Sequence, residues 1–332
     1  MGAAGLALAG GDFYGSPWAW GEAPPDLGRI AYQLGWVKNF QFAGEYIADY
    51  RKYFQRFGLQ VDLWAGGPTL SPVSMIMAGK ALIGDTTPEN VANANARGAT
   101  LKIIGADYQR NLSGIISMAK TPLVTPQDLI GKKIGLQVNN VVNWHTFLKV
   151  NKMDPASIHV VPVQFDLSPL ITGEVAGFFG EIDDDAVQLK TKGYDVHMLL
   201  FADYGFKMMN AVYIVRADAL TDKLKRAQLV AFMKGASLGW QDAIDDPALA
   251  AKLTVEVYGQ GNGLDLKGQE ASSLATNDFM VSADTKAHGL FWMSPTLIAE
   301  TIETLQAGGV KSSPDMFTNE ILEEAYRGKP SA

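Results

Sequence analysis

The sequence predicts two α/β lobes, each a mostly parallel sheet covered by helices, with a ligand cleft between them. Three observations lead there. At 332 residues the chain is long for one compact domain and about right for two. From Arg29 onward strand-like and helix-like segments alternate, and the alternation restarts near residue 115. The last third carries only helical periodicity, so it has no sheet of its own and should pack back on the first lobe.

Residues 1–11, MGAAGLALAGG, are small and apolar, like the tail of a secretory signal peptide that has lost its charged start. They are too short to span a bilayer, which takes about 20 apolar residues. Residues 12–28 carry Gly, Pro, Trp18 and Trp20 without a clear period, an irregular lead-in. Ile30, Tyr32 and Leu34 then alternate as a strand, and Ile47, Tyr50, Phe54 and Phe57 follow helical spacing up to Gly58. Leu59, Val61 and Leu63 alternate again before Gly66-Gly67-Pro68 breaks the run. A short helix over 72–76 ends at Gly79, 81–84 is a short apolar strand, 88–97 a helix with Pro88 in its first turn, and 101–104 a strand.

The second series begins with an extended 115–118 and a short Thr-capped helix at 125–129. Strands follow at 132–137, 158–163, 175–182 and 196–201, with helices at 141–152, from Ser168, and at 184–192. Residues 211–215 are extended once more. Beyond them Leu229, Phe232, Met233, Ala236, Trp240, Ala243 and Ile244 form a strong amphipathic stripe, and further helices are expected at 246–258, 267–280, 295–307 and 318–326. Two crossings, near 112–120 and 203–214, join the lobes. Lobe 1 is therefore expected to hold 29–114 and 206–332, and lobe 2 to hold 115–205, with closure as a hinge motion about the crossings.

Composition removes several functions. With 47% hydrophobic and 19% charged residues the balance is globular. A net charge of −7 without a basic block argues against nucleic-acid binding, which needs clustered cations. Zero cysteines exclude thiolate catalysis, zinc–cysteine and iron–sulfur sites, disulfides and a lipobox, and suit an exported chain.

Three motifs read as structural. Gly235-Ala236-Ser237-Leu238-Gly239 spells a nucleophile elbow, which requires a strand-to-helix turn; here it lies inside the strongest helical stripe. Gly259-Gln260-Gly261-Asn262-Gly263 follows no βα unit and reads as a loop between helices. Asp183-Asp184-Asp185 are adjacent, whereas metal loops alternate their ligands, so a helix N-terminus fits better. His145, His159, His197 and His288 form no metal-spaced pair. No cofactor, metal or catalytic residue is expected.

Aromatic residues gather at the carboxyl ends of strands. Trp36, Phe40, Phe42 and Tyr46 follow the first strand, Tyr108 and Trp144 follow later ones, and Tyr204 sits at the second crossing. Amides and hydroxyls accompany them, among them Asn39, Gln41, Thr86, Thr87 and Asn139, together with Gln109, Asn111, Asn140, Glu181 and Asp203. Aromatic walls with a few polar groups suit a flat, mostly neutral ring.

The ordered set formed by Trp36 to Phe42, Tyr53-Phe54, Gly58 to Val61, Gly66-Gly67, Gly79-Lys80-Ala81 to Gly84, Asp128 to Gly135 and Gly173 to Glu181 resembles the NMT1/THI5-like substrate-binding proteins of ABC importers. The likeness spans residues 29–330. It implies a type II periplasmic binding-protein fold, export to the periplasm without a lipid anchor, and a monomer that hands a small solute to a permease and ATPase at the inner membrane. Carried to matching positions, the family's ligand contacts fall on Trp36, Asn39 and Phe40; on Gly67, Pro68 and Thr69; on Asp85, Thr86 and Thr87; and on Glu181. Trp36-Val37-Lys38-Asn39 resembles the first loop of binders of thiamine pyrimidine precursors. With Lys38 and Arg110 as the only cations expected nearby, and Glu181 and Asp85 opposing an anion, a nitrogen heteroaromatic is favoured over a sulfonate, nitrate or aromatic carboxylate, with a flavin-like ring as an alternative. Some relatives are pyrimidine synthases that depend on a cysteine-rich run, which this chain lacks.

Overall fold

The computed structural model describes residues 25–164 and 166–327. The leader expected at 1–11 and residues 12–24 of the lead-in expected at 12–28 lie outside the described residues. Lobe 1 is built on strands β1 (Arg29–Gln33), β2 (Gln60–Trp64), β3 (Ile83–Thr86) and β4 (Leu101–Tyr108), interleaved with helices α1 (Ala43–Tyr50), α2 (Tyr53–Arg56), α3 (Pro72–Met77) and α4 (Pro88–Ala96). Lobe 2 holds β5 (Ser113–Met118), β6 (Lys133–Leu136), β7 (His159–Pro162), β8 (Gly177–Glu181) and β9 (Val196–Leu200), with α5 (Val141–Val150), α6 (Ser168–Ile171) and α7 (Asp185–Thr191). Strand β10 (Asn210–Arg216) returns to the first sheet, and α8 (Lys223–Asp245), α9 (Pro247–Leu253), α10 (Leu266–Met280), α11 (Ala283–His288), α12 (Pro295–Ala307) and α13 (Glu320–Ala325) follow. Of these helices only α11 is absent from the sequence pattern; its six residues, ADTKAH, carry no apolar stripe, and a Ser282 capping box starts it instead.

The sheets run β2-β1-β3-β10-β4 and β7-β6-β8-β5-β9. Each is mostly parallel, as expected, with one antiparallel strand: β10 against β3 and β4, and β5 against β8 and β9. Register explains the reversal. Ser113 pairs with Glu181 and Asn210 pairs with Tyr108, so both crossing strands begin beside the carboxyl ends of their neighbours. The chain crosses between lobes at the cleft floor and enters each sheet from that side, with no crossover helix to restore a parallel direction.

The helix expected to run to Gly58 is broken into α1 and α2, because Lys52 turns the chain at φ 60. Helix α8 packs on α1 through small residues: a Cβ on Gly239 would strike the Gly44 carbonyl and lie 2.8 Å from the Ala48 nitrogen. Gly235 meets Phe54, so the elbow-like motif is a helix-crossing surface. The glycine-rich 259–263 segment is a loop whose Asn262 amide donates to the Lys38 carbonyl at 2.9 Å, bracing the loop after β1.

The helical third does more than return to lobe 1. Thr276 on α10 donates to Asp183 at 2.9 Å, and Gly308, after α12, lies against Thr146 of α5. Helices without a sheet bury their apolar faces wherever surface is free, and here they cover both lobes. Among the described residues no helix is long and apolar enough to cross a membrane.

Gly239→Ala should lower the unfolding free energy by about 1–3 kcal/mol in urea denaturation, the usual cost of overpacking, despite alanine's better helix propensity. An unchanged or higher midpoint would contradict the close α1–α8 crossing.

Candidate functional site

A cleft of about 480 Å³ opens where strand carboxyl ends of the two sheets meet. On lobe 1 it is lined by the loop after β1, the turn after β2, the end of β3, one face of α4, and Tyr108 with Asn210 at the crossing strands. Lobe 2 contributes Gln137 to Asn140 after β6, Phe179 to Glu181 at the end of β8, and Asp184 with Asp185 at the start of α7. The first loop is tied down by Leu34 N–H to the Trp64 carbonyl at 3.0 Å and Gly66 N–H to the Trp36 carbonyl at 2.8 Å. Gly35 allows that loop to graze Asp85, since any Cβ there would run into the carboxylate.

Of the expected site residues, Trp36, Phe42, Pro68, Thr69, Asp85, Thr86, Thr87, Tyr108, Asn139 and Glu181 stand on this lining. Five do not. Asn39 is fully buried; its Oδ1 accepts from the Gln41 N–H at 3.1 Å and its amide donates to Asp184 at 3.0 Å, so it shapes the loop. Phe40 is buried with its N–H donating to Gln269 Oε1 at 2.9 Å. Gly67 lies in the turn but off the lining. Trp144 belongs to α5 and faces the core, 6.4 Å from the Phe201 ring. Tyr204 turns outward and donates to the Val124 carbonyl at 2.8 Å. A strand end places a loop, but helical phase decides which aromatic in it faces the cleft.

The expected cations are also elsewhere: Arg110 stacks on Phe279 at 4.3 Å and Lys38 is off the lining. The cleft's cation among the described residues is Arg97, at the end of α4. It closes a stripe of Thr87, Asn90, Asn93 and Arg97 at helical spacing, a pattern visible in the sequence once 88–97 is drawn as a helix with its cap at Thr87.

The floor is acidic and, among the described residues, holds no cation. Asp85, Glu45 and Asp107 are buried together in lobe 1, and Tyr213 donates to Glu45 at 2.5 Å. Burial first, then the neighbouring carboxylates, push Asp85 and Asp107 well above the usual carboxylate range, and burial lifts Glu45 to about 7. On lobe 2, Glu181 accepts from Gln41 and, at 3.2 Å, from Asn210, both from lobe 1. Burial and then Asp183, Asp184 and Asp185 raise its carboxyl.

The aspartate triplet departs from a plain helix N-terminus. Asp185 opens α7 and accepts the Glu181 N–H at 3.1 Å, but Asp184 turns to Asn39 and Gln188, and Asp183 to Thr276. Two of the three thus accept hydrogen bonds from lobe 1. Among the described residues no group of His, Asp and Glu converges as a metal site.

Two sheets of this order, joined by crossing strands at the floor of a shared cleft, define a two-lobed type II binding-protein fold. Residues 39–250 match the family described as NMT1/THI5 like, and the chain belongs to that family. It is 24% identical over 312 residues to the riboflavin-binding protein RibY of Chloroflexus aurantiacus, covering 91% of this chain and 88% of that one. A putative thiamine biosynthesis protein of Haemophilus influenzae is 23% identical over 63% of this chain and 68% of its own length. The alkanesulfonate-binding protein SsuA of Xanthomonas axonopodis pv. citri, solved with bound MOPS, superposes with a TM-score of 0.62 at 15% identity, over 90% of this chain and 99% of that one.

Burial first and Asp184 second lift Asp183 from 3.8 to about 7 in the folded chain. Because the folded state binds this proton more tightly, the resulting stability is complete below about pH 4 and is lost as pH rises towards 7, at up to about 1.4 kcal/mol per pH unit for each such proton. Asp183→Asn keeps an acceptor for Thr276 and should flatten that slope when denaturation midpoints are measured from pH 4 to pH 8. An unchanged slope would show that Asp183 ionises normally.

Proposed function

We propose that the protein is the solute-binding component of an ABC import system, exported and acting as a monomer, and that its cleft captures a small nitrogen heteroaromatic such as a thiamine pyrimidine precursor for delivery to a permease and ATPase. The observation that carries this is the lining itself: Trp36, Phe42, Tyr108 and Phe179 surround a floor of carboxylates and amides, with Arg97 as the cation on the lining. Rings stack on such walls, and their N–H groups suit acceptors that would repel an anion. In this view residues 29–114 with 206–332 move against 115–205, closing over the ring.

A flavin-like ring is the second reading. The likeness to RibY over most of both chains favours it, and about 480 Å³ admits more than one ring. The fold shared with SsuA supports the two-lobe architecture; the acidic floor argues against a sulfonate here.

A thermal-shift screen of aminopyrimidines, flavins, nucleobases, sulfonates and aromatic acids tests the assignment. A true ligand at 100 times its dissociation constant adds about 2.7 kcal/mol of stability. Hits confined to sulfonates or aromatic acids would reject the heteroaromatic. Trp36→Ala should weaken binding by about 1–3 kcal/mol if the indole stacks on the ring; unchanged affinity in calorimetry would remove that role. Glu181→Gln should alter selectivity among amino- and oxo-substituted rings, whereas an equal loss for every ring would make Glu181 structural.

A further inference from the structure

The lobe 1 end of the cleft holds a carboxyl group that no cation among the described residues answers. Asp85, in β3, is 6% exposed and lines the cleft. One carboxylate oxygen lies against Gly35, and the other, Oδ2, has no hydrogen-bond partner. Glu45 from α1 and Asp107 from β4 are buried beside it, each with one oxygen likewise unpartnered. The other titratable groups around these three are the phenols of Tyr32, Tyr46, Tyr108 and Tyr213, from β1, α1, β4 and β10. Among the described residues no cation acts on Asp85, Glu45 or Asp107. The lining's cation, Arg97, stands ten residues beyond Thr87, about 15 Å along α4.

A carboxylate withdrawn from water without a partner is costly, and three together are costlier. Either protons or a bound positive charge must offset them. Asp85 differs from the other two in standing on the cleft lining, with its unpartnered oxygen buried just behind that surface.

We propose, building on the heteroaromatic reading, that the solute is a cation, and that a positively charged N–H group on it donates to the free oxygen of Asp85 while Glu181 closes from the opposite lobe. Burial and then Glu45 raise Asp85's carboxyl well above its usual range, which favours the protonated form in the empty cleft. Binding then exchanges one charge for another: the Asp85 O–H bond breaks, its proton goes to solvent, and the N–H donor of the cation takes its place. Asp107 and Glu45, buried behind Asp85, bring no positive charge to oppose it.

Calorimetry on the intact protein with two rings of equal size reads this directly. The probes are 4-amino-5-aminomethyl-2-methylpyrimidine, cationic at neutral pH, and its neutral 5-hydroxymethyl counterpart. The cation should bind at least tenfold more tightly, with a heat that varies with buffer ionisation enthalpy in the sense of proton release. Asp85→Asn should reduce the preference to about onefold; should that variant not fold, the wild-type ratio and the proton count decide. Benzylamine and benzyl alcohol form a second pair without a heteroaromatic ring. If neither pyrimidine binds but benzylamine outbinds the alcohol, the ring assignment falls and the cation stands. Equal or tighter binding of the neutral members, proton uptake, or no binding by either cation would overturn the proposal.

Discussion

Carboxylates from one lobe accepting hydrogen bonds from neutral donors of the other are the interaction on which the cleft depends. Asn39 reaches Asp184 at 3.0 Å, Thr276 reaches Asp183 at 2.9 Å, and Asn210 reaches Glu181 at 3.2 Å. Had arginines or lysines filled these places, the seam would be a set of buried ion pairs and the floor would be electrically neutral. Amides and a hydroxyl satisfy lone pairs without bringing in positive charge. The lobes are held together while the floor stays acidic, and that acidity decides which solutes the aromatic walls can receive.

The chain's path makes this arrangement possible. Both crossing strands start at the cleft floor, so Asn210 and Ser113 lie beside Tyr108 and Glu181 at the ends of neighbouring strands. The C-terminal helices then span the lobes. Helix α10 carries both Gln269, which holds the Phe40 backbone, and Thr276, which holds Asp183. One helix therefore positions the first loop and the seam together, and movement of the lobes must disturb its contacts.

Much of the fold was legible in the sequence, because strand alternation and helical spacing are local properties. The restart after residue 115 and the stripe from Leu229 to Ile244 both correspond to elements seen here. Parallel versus antiparallel entry was not legible, since it depends on where the chain crosses. The site was half legible. Asp85, Thr86 and Glu181 sit at strand ends and reach the cleft, whereas Trp144, one helical turn further on, faces the core beside Phe147 and Phe201. The aspartate triplet hid its role because the partners, Asn39 and Thr276, are distant in sequence. Asn90, Asn93 and Arg97 were available as a stripe on α4, and only their phase relative to the Thr87 cap shows that they line the cleft.

The central claim is that an acidic, aromatic-walled cleft takes a donor-bearing ring and rejects an anion. A competition titration that follows tryptophan fluorescence measures this most directly, with an aminopyrimidine, a flavin and an alkanesulfonate added in turn at one ionic strength. Saturable quenching by a ring compound, lost in Trp36→Phe and undisturbed by excess sulfonate, is the predicted result. Saturation by the sulfonate, with displacement of any ring compound, would contradict the account.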